Sequence, residues 1–205
     1  MLKKILTFIQ AKTSWRAILG LLAASGLLMF LMNGTNLSFS GPTIEEFSGG
    51  LPTLDLRSSF TPEDAYELFT ALGNEGRLAY RFFHLVPDTL FPISYSLAFA
   101  FISAWFLVRL LPMDHNIQWL SLIPLISGLA DVLENLSLVF ASLAYPGRID
   151  WLVHSAFLMN RVKFGLLPIG LVFLIVIVVI WFIRKRPGQT GEKSSPRMMN
   201  TCARA

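Results

Sequence analysis

The sequence predicts an all-α fold, an integral membrane four-helix bundle with a short extramembrane amphipathic helix. Hydrophobic residues make up 54% of the 205 residues and charged residues only 15%, a composition typical of polytopic membrane proteins rather than of soluble domains. The apolar residues are gathered into four long runs, and a helix of about 20 such residues crosses a bilayer. Polar turns or basic clusters separate the runs, so we expect four separate membrane helices.

The first run, 17–32, follows a segment, 1–16, that carries four basic residues and no acidic one. Because basic flanks stay on the cytoplasmic side of a membrane, we expect 1–16 to be a cytoplasmic N-terminus. A basic start followed by a short apolar run also resembles a signal peptide, with Ser38-Phe39-Ser40 as a small-x-small cleavage site. Cleavage there would not change the topology of the rest.

The outer segment, 34–88, is rich in acidic residues, which favours an exported face. Its first part, 38–50, is rich in Gly and Ser and predicts a loose linker. Thr61 as N-cap, Pro62 at the first position and Asp64 at the third then predict the start of a helix. An apolar stripe follows, so we expect a short amphipathic helix on the membrane or at the mouth of the bundle, without chemistry of its own.

The other three membrane helices are predicted from the remaining apolar runs. Helix two covers about 90–111, with Pro87 and Pro92 near its outer end as the causes of a kink or a break. Helix three covers about 117–145. Helix four covers about 151–183 and is longer than a bilayer requires. A basic cluster follows helix four directly, so we expect the C-terminus in the cytoplasm too.

The chain is therefore expected to hold one transmembrane domain, 17–186, and a disordered cytoplasmic tail, 187–205, in a plasma or inner membrane. The tail contains the single cysteine, Cys202, which excludes a disulfide framework and a thiol redox pair within the chain. The formal net charge of +4 is concentrated at the two ends. It indicates orientation in the membrane, and we expect no nucleic-acid partner.

Two carboxylates and an amide interrupt the third apolar run. Asp131, Glu134 and Asn135 are three and four residues apart, so they lie on one face of a helix. A carboxylate at the bilayer centre costs about 2.5 to 3.5 kcal/mol even on lenient insertion scales, so this face must meet protein or water. Counted from the inner end of the helix, the carboxylates lie about 18 to 22 Å up, in the outer half of the bilayer.

Basic and polar side chains from the neighbouring helices are expected at a similar depth. Arg161 or Lys163 on helix four, and Arg77 or Arg81 on the arm before helix two, are long enough to reach the two carboxylates. We therefore expect an outward-facing polar pocket whose carboxylates are paired from both sides. Its candidate residues are Arg77, Tyr80, Arg81, Asp88, Tyr95, Asp131, Glu134, Asn135, Arg161 and Lys163.

Two interpretations of this pocket stay open. In the preferred one, the polar network only fixes how the helices pack, and the protein is a non-enzymatic scaffold or accessory protein whose protein partner the sequence does not name. In the other, the carboxylates with His84, His154 and Tyr95 bind a lipid, a small apolar ligand or an ion, relay protons, or catalyse a reaction. The sequence contains no zinc-ligand spacing, nucleotide loop or Gly-x-Ser-x-Gly motif, so we expect no metal and no cofactor.

The polar positions together form a pattern along the chain. It resembles a family of small four-helix integral membrane proteins of uncharacterised function, over about 51–185. The resemblance implies no activity, but it implies that these polar positions form one set. The pattern consists of Leu54-Asp55-x-Arg57, Phe60-Thr61-Pro62-Glu63, Gly76-Arg77-x-x-Tyr80, Asp88-x-x-Phe91-Pro92-x-x-Tyr95 and Asp131-x-x-Glu134-Asn135.

Overall fold

The structure, a computed structural model, describes residues 2–57, 59–112 and 115–185. All regular secondary structure in these ranges is helical. The tail that was predicted to be disordered, 187–205, lies outside them. The α-helices are α1 (Leu2–Lys12), α2 (Trp15–Asn33), α3 (Gly41–Phe47), α4 (Pro62–Ala71), α5 (Gly73–Leu85), α6 (Pro87–Leu110), α7 (Ile123–Ala144) and α8 (Asp150–Lys185), with 3₁₀ turns at Leu54–Leu56 and Asn116–Leu122.

Four segments of the described chain are long and apolar enough to cross a membrane. This confirms an all-helical chain with four candidate membrane-spanning helices. The third segment differs from the prediction, because it begins as a 3₁₀ helix and becomes α-helical only at Ile123. Pro124 in the first turn of α7 cannot continue an α-helix from the preceding residues. The four segments are Trp15–Asn33, Gly73–Leu110, Asn116–Ala144 and Asp150–Lys185.

The long helices pack around α6 and α7. Helix α7 packs extensively against both α6 and α8, and α6 packs on its other side against α2. In contrast, α2 and α8 make hardly any contact with each other. A space is therefore left between α2 and α8 along one side of α6.

The N-terminal segment forms a helix of its own beside the bundle. Leu6 and Ile9 on α1 are buried, in a cluster with Ile18 of α2 and Phe101 of α6. This contact buries Leu6 and Ile9 and leaves the lysines of α1 exposed. Helix α1 is thus part of the packed structure.

The outer segment is folded, which corrects the prediction of a loose linker over 38–50. Helix α3 occupies most of that range, and its Ile44 is completely buried in the core under the outer end of the bundle. Ser40 and Ser48 flank α3 at its two ends. The prediction was wrong because it relied on the Gly and Ser content. Here these residues flank a short helix, and the buried Ile44 anchors that helix.

The predicted start of α4 is confirmed. The main-chain N–H of Thr61 donates to Asp64 Oδ2 at 2.7 Å, and the Thr61 hydroxyl accepts from the main-chain N–H of Asp64 at 3.3 Å. The hydrogen bonds from Thr61 hold the pKa of the Asp64 carboxyl below its usual range. Leu68 and Phe69 on the other side of α4 are completely buried, in the same core cluster as Leu138 of α7 and Val153 of α8.

Helices α6 and α7 approach each other closely at Gly128. A Cβ added there would lie 2.5 Å from Ser96 Oγ and 2.9 Å from the main-chain oxygen of Pro92 on α6. A small residue at a helix crossing lets two backbones come together in this way. The approach brings the polar face of α7 against the outer half of α6.

Replacement of Gly128 by Ala is expected to destabilise the protein by about 1 to 3 kcal/mol, because the added methyl group overlaps a helix backbone that cannot move aside cheaply. Gly165→Ala on α8 is the matched control, since nothing lies within 4 Å of a Cβ at that position. Thermal unfolding of both variants in the same detergent measures the difference. Equal melting temperatures for the two variants would show that the α6–α7 approach is looser than the structure describes.

Candidate functional site

The site begins at the outer end of α6, where a proline leaves a main-chain carbonyl free. Pro92 lies inside α6 and has no N–H to donate to the carbonyl of Asp88, four residues earlier. A carbonyl without a donor inside a membrane-spanning bundle is expensive. Asn135 Nδ2 on α7 fills this position and donates to the Asp88 oxygen at 2.6 Å.

A histidine joins the same two residues from the preceding helix. The ring of His84 on α5 is completely buried, and its Nδ1 lies 2.9 Å from Asp88 Oδ2 and 3.2 Å from Asn135 Oδ1. Both partners are acceptors, since the other end of the Asn135 amide is donating, so the contacts assign a proton to Nδ1. One set of hydrogen bonds therefore ties α5, α6 and α7 together.

Lys163 on α8 is the centre of a second set. Its Nζ lies 3.2 Å from Asp131 Oδ1 and 2.6 Å from Glu134 Oε2. An ammonium group has three donors and can serve both carboxylates at once. Asp131 Oδ2 also accepts from the hydroxyl of Tyr95 on α6 at 3.1 Å. The contacts of Lys163 and Asp131 thus join α6, α7 and α8.

The outer segment reaches this second set through Asn160 and Asp55. Asn160 Nδ2 donates to Glu134 Oε1 at 2.8 Å and to the main-chain oxygen of Asp55 at 3.2 Å. Asp55 lies in the 3₁₀ turn Leu54–Leu56, and the residue is only 9% exposed. Its Oδ1 has no hydrogen-bond partner among the described residues. The outer segment thus adds a further carboxylate to the site.

The site contains more acidic than basic groups. Its carboxylates belong to Asp55, Asp88, Asp131 and Glu134, all buried, whereas Lys163 is the one Lys or Arg that is buried in the described part of the chain. His84 adds a positive charge only when it is protonated. Uncompensated carboxylates are costly away from water. The excess of carboxylates therefore favours a positively charged group beside them.

A cavity of about 210 Å³ lies beside these groups. Three of the four carboxylates and Lys163 form its polar wall. Aromatic side chains form much of the remaining wall, so the cavity has both charged and apolar lining residues. The charged residues on its wall are Asp55, Asp88, Asp131 and Lys163, and the aromatic ones are Phe83, Phe91, Tyr95 and Phe164.

An apolar groove of about 390 Å³ adjoins the cavity. It occupies the space between α2 and α8 along α6, and its wall includes Leu22, Gly26, Phe99 and Leu171. Four residues line both the groove and the cavity, so the two spaces are neighbours around a common wall. These shared residues are Met29, Phe91, Tyr95 and Leu167.

The expected arginine pairs from the arm are absent among the described residues, and that prediction is wrong. Arg77 Nη1 donates to the main-chain oxygen of Phe69 at 2.6 Å, and Arg81 Nε donates to Ser142 Oγ at 3.2 Å. Ser142 lies eight residues beyond Glu134 on α7, which is about 12 Å further out. Long basic side chains near a helix end turn toward water rather than inward, so both arginines stay above the carboxylates.

The other predicted residues fall into two groups. The structure brings Asp88, Tyr95, Asp131, Glu134, Asn135 and Lys163 together around the cavity and its hydrogen bonds. Tyr80 is completely buried next to His84, with ring centroids 4.3 Å apart, and packs as part of the outer core. Arg161 is exposed with its guanidinium over the Phe157 ring, so Lys163 supplies the α8 partner of the carboxylates. His154 is also exposed.

Sequence reasoning missed two residues of the site. Asn160 precedes Lys163 by three residues and so lies on the same face of α8, which is a signal that could have identified it. Asp55 stands in the pattern Leu54-Asp55-x-Arg57, but nothing in its local sequence indicates that it reaches into the bundle. Only the folded path of the outer segment places Asp55 beside Asn160.

Comparisons with protein-family models, with curated proteins and with solved structures found no match to this chain. The resemblance to a family of small four-helix membrane proteins therefore stays a prediction.

Lys163→Met is expected to destabilise the protein by about 3 to 5 kcal/mol, because it leaves Asp131 and Glu134 buried without their cation. Lys12→Met, at an exposed position, is the control and should change little. A triple variant, Lys163→Met with Asp131→Asn and Glu134→Gln, removes all three charges and should recover much of the loss. Unfolding in detergent measures all three; a Lys163→Met protein as stable as Lys12→Met would contradict the assigned role of Lys163.

Proposed function

We propose that the protein is a non-enzymatic, multi-pass membrane protein that binds an amphiphilic small molecule or lipid inside its helix bundle. The observation that carries this proposal is the polar cavity with an apolar groove beside it and a shared wall between them. Such a pair of spaces suits a molecule with a polar head and an apolar chain. Together their volumes fall in the range of about 300 to 1,000 Å³ that is usual for ligand sites.

The membrane setting is supported by the distribution of side chains on the long helices. In this proposal α2, the joined α5 and α6, α7 and α8 form a four-helix transmembrane bundle, and α4 is an amphipathic helix outside the membrane. Large apolar side chains on the outside of α8 are more than half exposed, which suits contact with lipid but not with water. Examples are Ile169, Val172, Ile175, Phe182 and Ile183.

A binding role fits the site better than catalysis does. The sequence offers no recognisable nucleophile, metal or cofactor motif. The two carboxylates of α7 already hold Lys163 and Asn160, which leaves the cavity and its apolar extension as the features that packing alone does not explain. A well-packed bundle closes such spaces.

The orientation in the proposal follows the distribution of charge. Both termini are cytoplasmic, and the segment between α2 and α5 lies outside. Basic residues cluster near both ends of the chain, whereas the intervening outer segment is acidic, as the positive-inside rule requires. The cavity then faces the outer half of a plasma or inner membrane.

The binding proposal predicts that the protein purified in mild detergent carries a stoichiometric amphiphile, which mass spectrometry of the extracted material would detect. Gly26→Leu should remove it, because Gly26 lines the groove and a Cβ there meets nothing within 4 Å, so the larger side chain fits and fills the space. Gly20→Leu on the same helix is equally free of neighbours and is the matched control. No bound amphiphile in the wild type, or equal amounts in both variants, would overturn the proposal.

The orientation proposal predicts opposite accessibility at two positions. A cysteine at the exposed Glu46, introduced as Glu46→Cys together with Cys202→Ser, should react with a membrane-impermeant maleimide in intact cells. The native Cys202 should react only after the membrane is opened. Reaction at Cys202 and protection at position 46 would reverse the orientation.

A further inference from the structure

We propose that the head group of the bound amphiphile is a cation, a protonated amine held by the carboxylates of the cavity. This inference rests on the proposed function and names the chemistry of its ligand. It starts from the acidic excess of the site, in which Lys163 is the one buried Lys or Arg of the described residues beside four carboxylates.

Asp55 gives the cavity a carboxylate that the chain does not fully compensate. Asp55 lines the cavity, about nine-tenths of the residue is buried, and its Oδ1 has no hydrogen-bond partner in the described chain. A buried carboxylate oxygen without a donor is unfavourable. An ammonium group placed in the cavity lies beside the carboxylates of Asp55, Asp88 and Asp131, which all line it, and its charge offsets theirs.

An anionic head group does not fit this wall. Lys163 is the one basic residue that lines the cavity, and its Nζ already contacts both Asp131 and Glu134. A phosphate or carboxylate would have to compete for that ammonium and would meet carboxylates on the rest of the polar wall. Two negative charges in one small cavity repel strongly where water is scarce.

The aromatic wall favours a cation for an independent reason. Phe83, Phe91 and Tyr95 line the same cavity as the acidic groups. The face of an aromatic ring attracts an ammonium group, and the attraction is larger when the cation is removed from water. Phe91 and Tyr95 also line the groove, so a chain attached to the head group passes directly from these rings into the apolar space.

The test compares three probes with the same twelve-carbon chain: dodecylamine, dodecanol and dodecanoate. Binding to the detergent-solubilised full chain is measured by native mass spectrometry. The samples are prepared at neutral pH, at which the amine is protonated. The amine is expected to bind about tenfold or more tightly than the alcohol, and the dodecanoate least. Asp55→Asn should remove most of the advantage of the amine over dodecanol, whereas Glu45→Gln, at an exposed carboxylate of α3, should leave that advantage as it is in the wild type.

Each outcome decides between the two proposals. If dodecylamine and dodecanol bind equally well and Gly26→Leu abolishes the binding of both, the cationic head group is wrong but the amphiphile site is supported. Tightest binding of dodecanoate also overturns the cation. Binding of none of the three probes counts against the amphiphile site itself. The comparison of probes on the wild type does not depend on any variant, and the melting temperature of Asp55→Asn tells a lost contact from a lost fold.

Discussion

A carboxylate buried among apolar helices needs a partner, and Lys163 provides it for two carboxylates at once. Its contacts at 3.2 Å with Asp131 and at 2.6 Å with Glu134 hold α8 against α7. The remaining acceptors of these groups bind Tyr95 and Asn160, which brings in α6 and the outer segment. The arrangement of the outer half of the bundle thus depends on satisfying two buried negative charges.

A second constraint comes from Pro92, and the chain uses it in a similar way. The proline removes one hydrogen bond from α6, and Asn135 replaces it from α7. Asn135 can reach the carbonyl of Asp88 because Gly128 lets α6 and α7 approach closely. The Asn135 side chain that replaces the lost hydrogen bond also contacts His84, and His84 contacts Asp88. The same asparagine therefore orients both side chains. The buried carbonyl of Asp88 is thus satisfied by a neighbouring helix, which is what a helix that crosses a membrane requires.

The sequence predicted the parts of the molecule that follow from local pattern. The four apolar runs, the N-cap at Thr61 and the shared face of Asp131, Glu134 and Asn135 all depend on residues within a few positions of one another, and the structure agrees with them. Helix α3 and the role of Asp55 depend instead on how the outer segment folds over the bundle. Those contacts join residues far apart in the chain, for which periodicity gives no information.

The choice of basic partner shows the same limit. Arginines of α5 and basic residues of α8 are all long enough to reach the carboxylates, so side-chain length alone does not show which of them is the partner. The structure separates them by level, because Arg81 meets Ser142, further out along α7, whereas Lys163 lies between the two carboxylates.

In the proposed function the site is an occupied pocket and not merely a packing device. A crystal structure of the protein grown in a lipidic phase would show the occupant. We expect one elongated amphiphile, with its head beside Asp55 and Asp131 and its chain along Phe91 and Leu167 between α2 and α8. A structure in which α2 packs directly on α8, and side chains or ordered water alone fill the cavity, would refute the binding role.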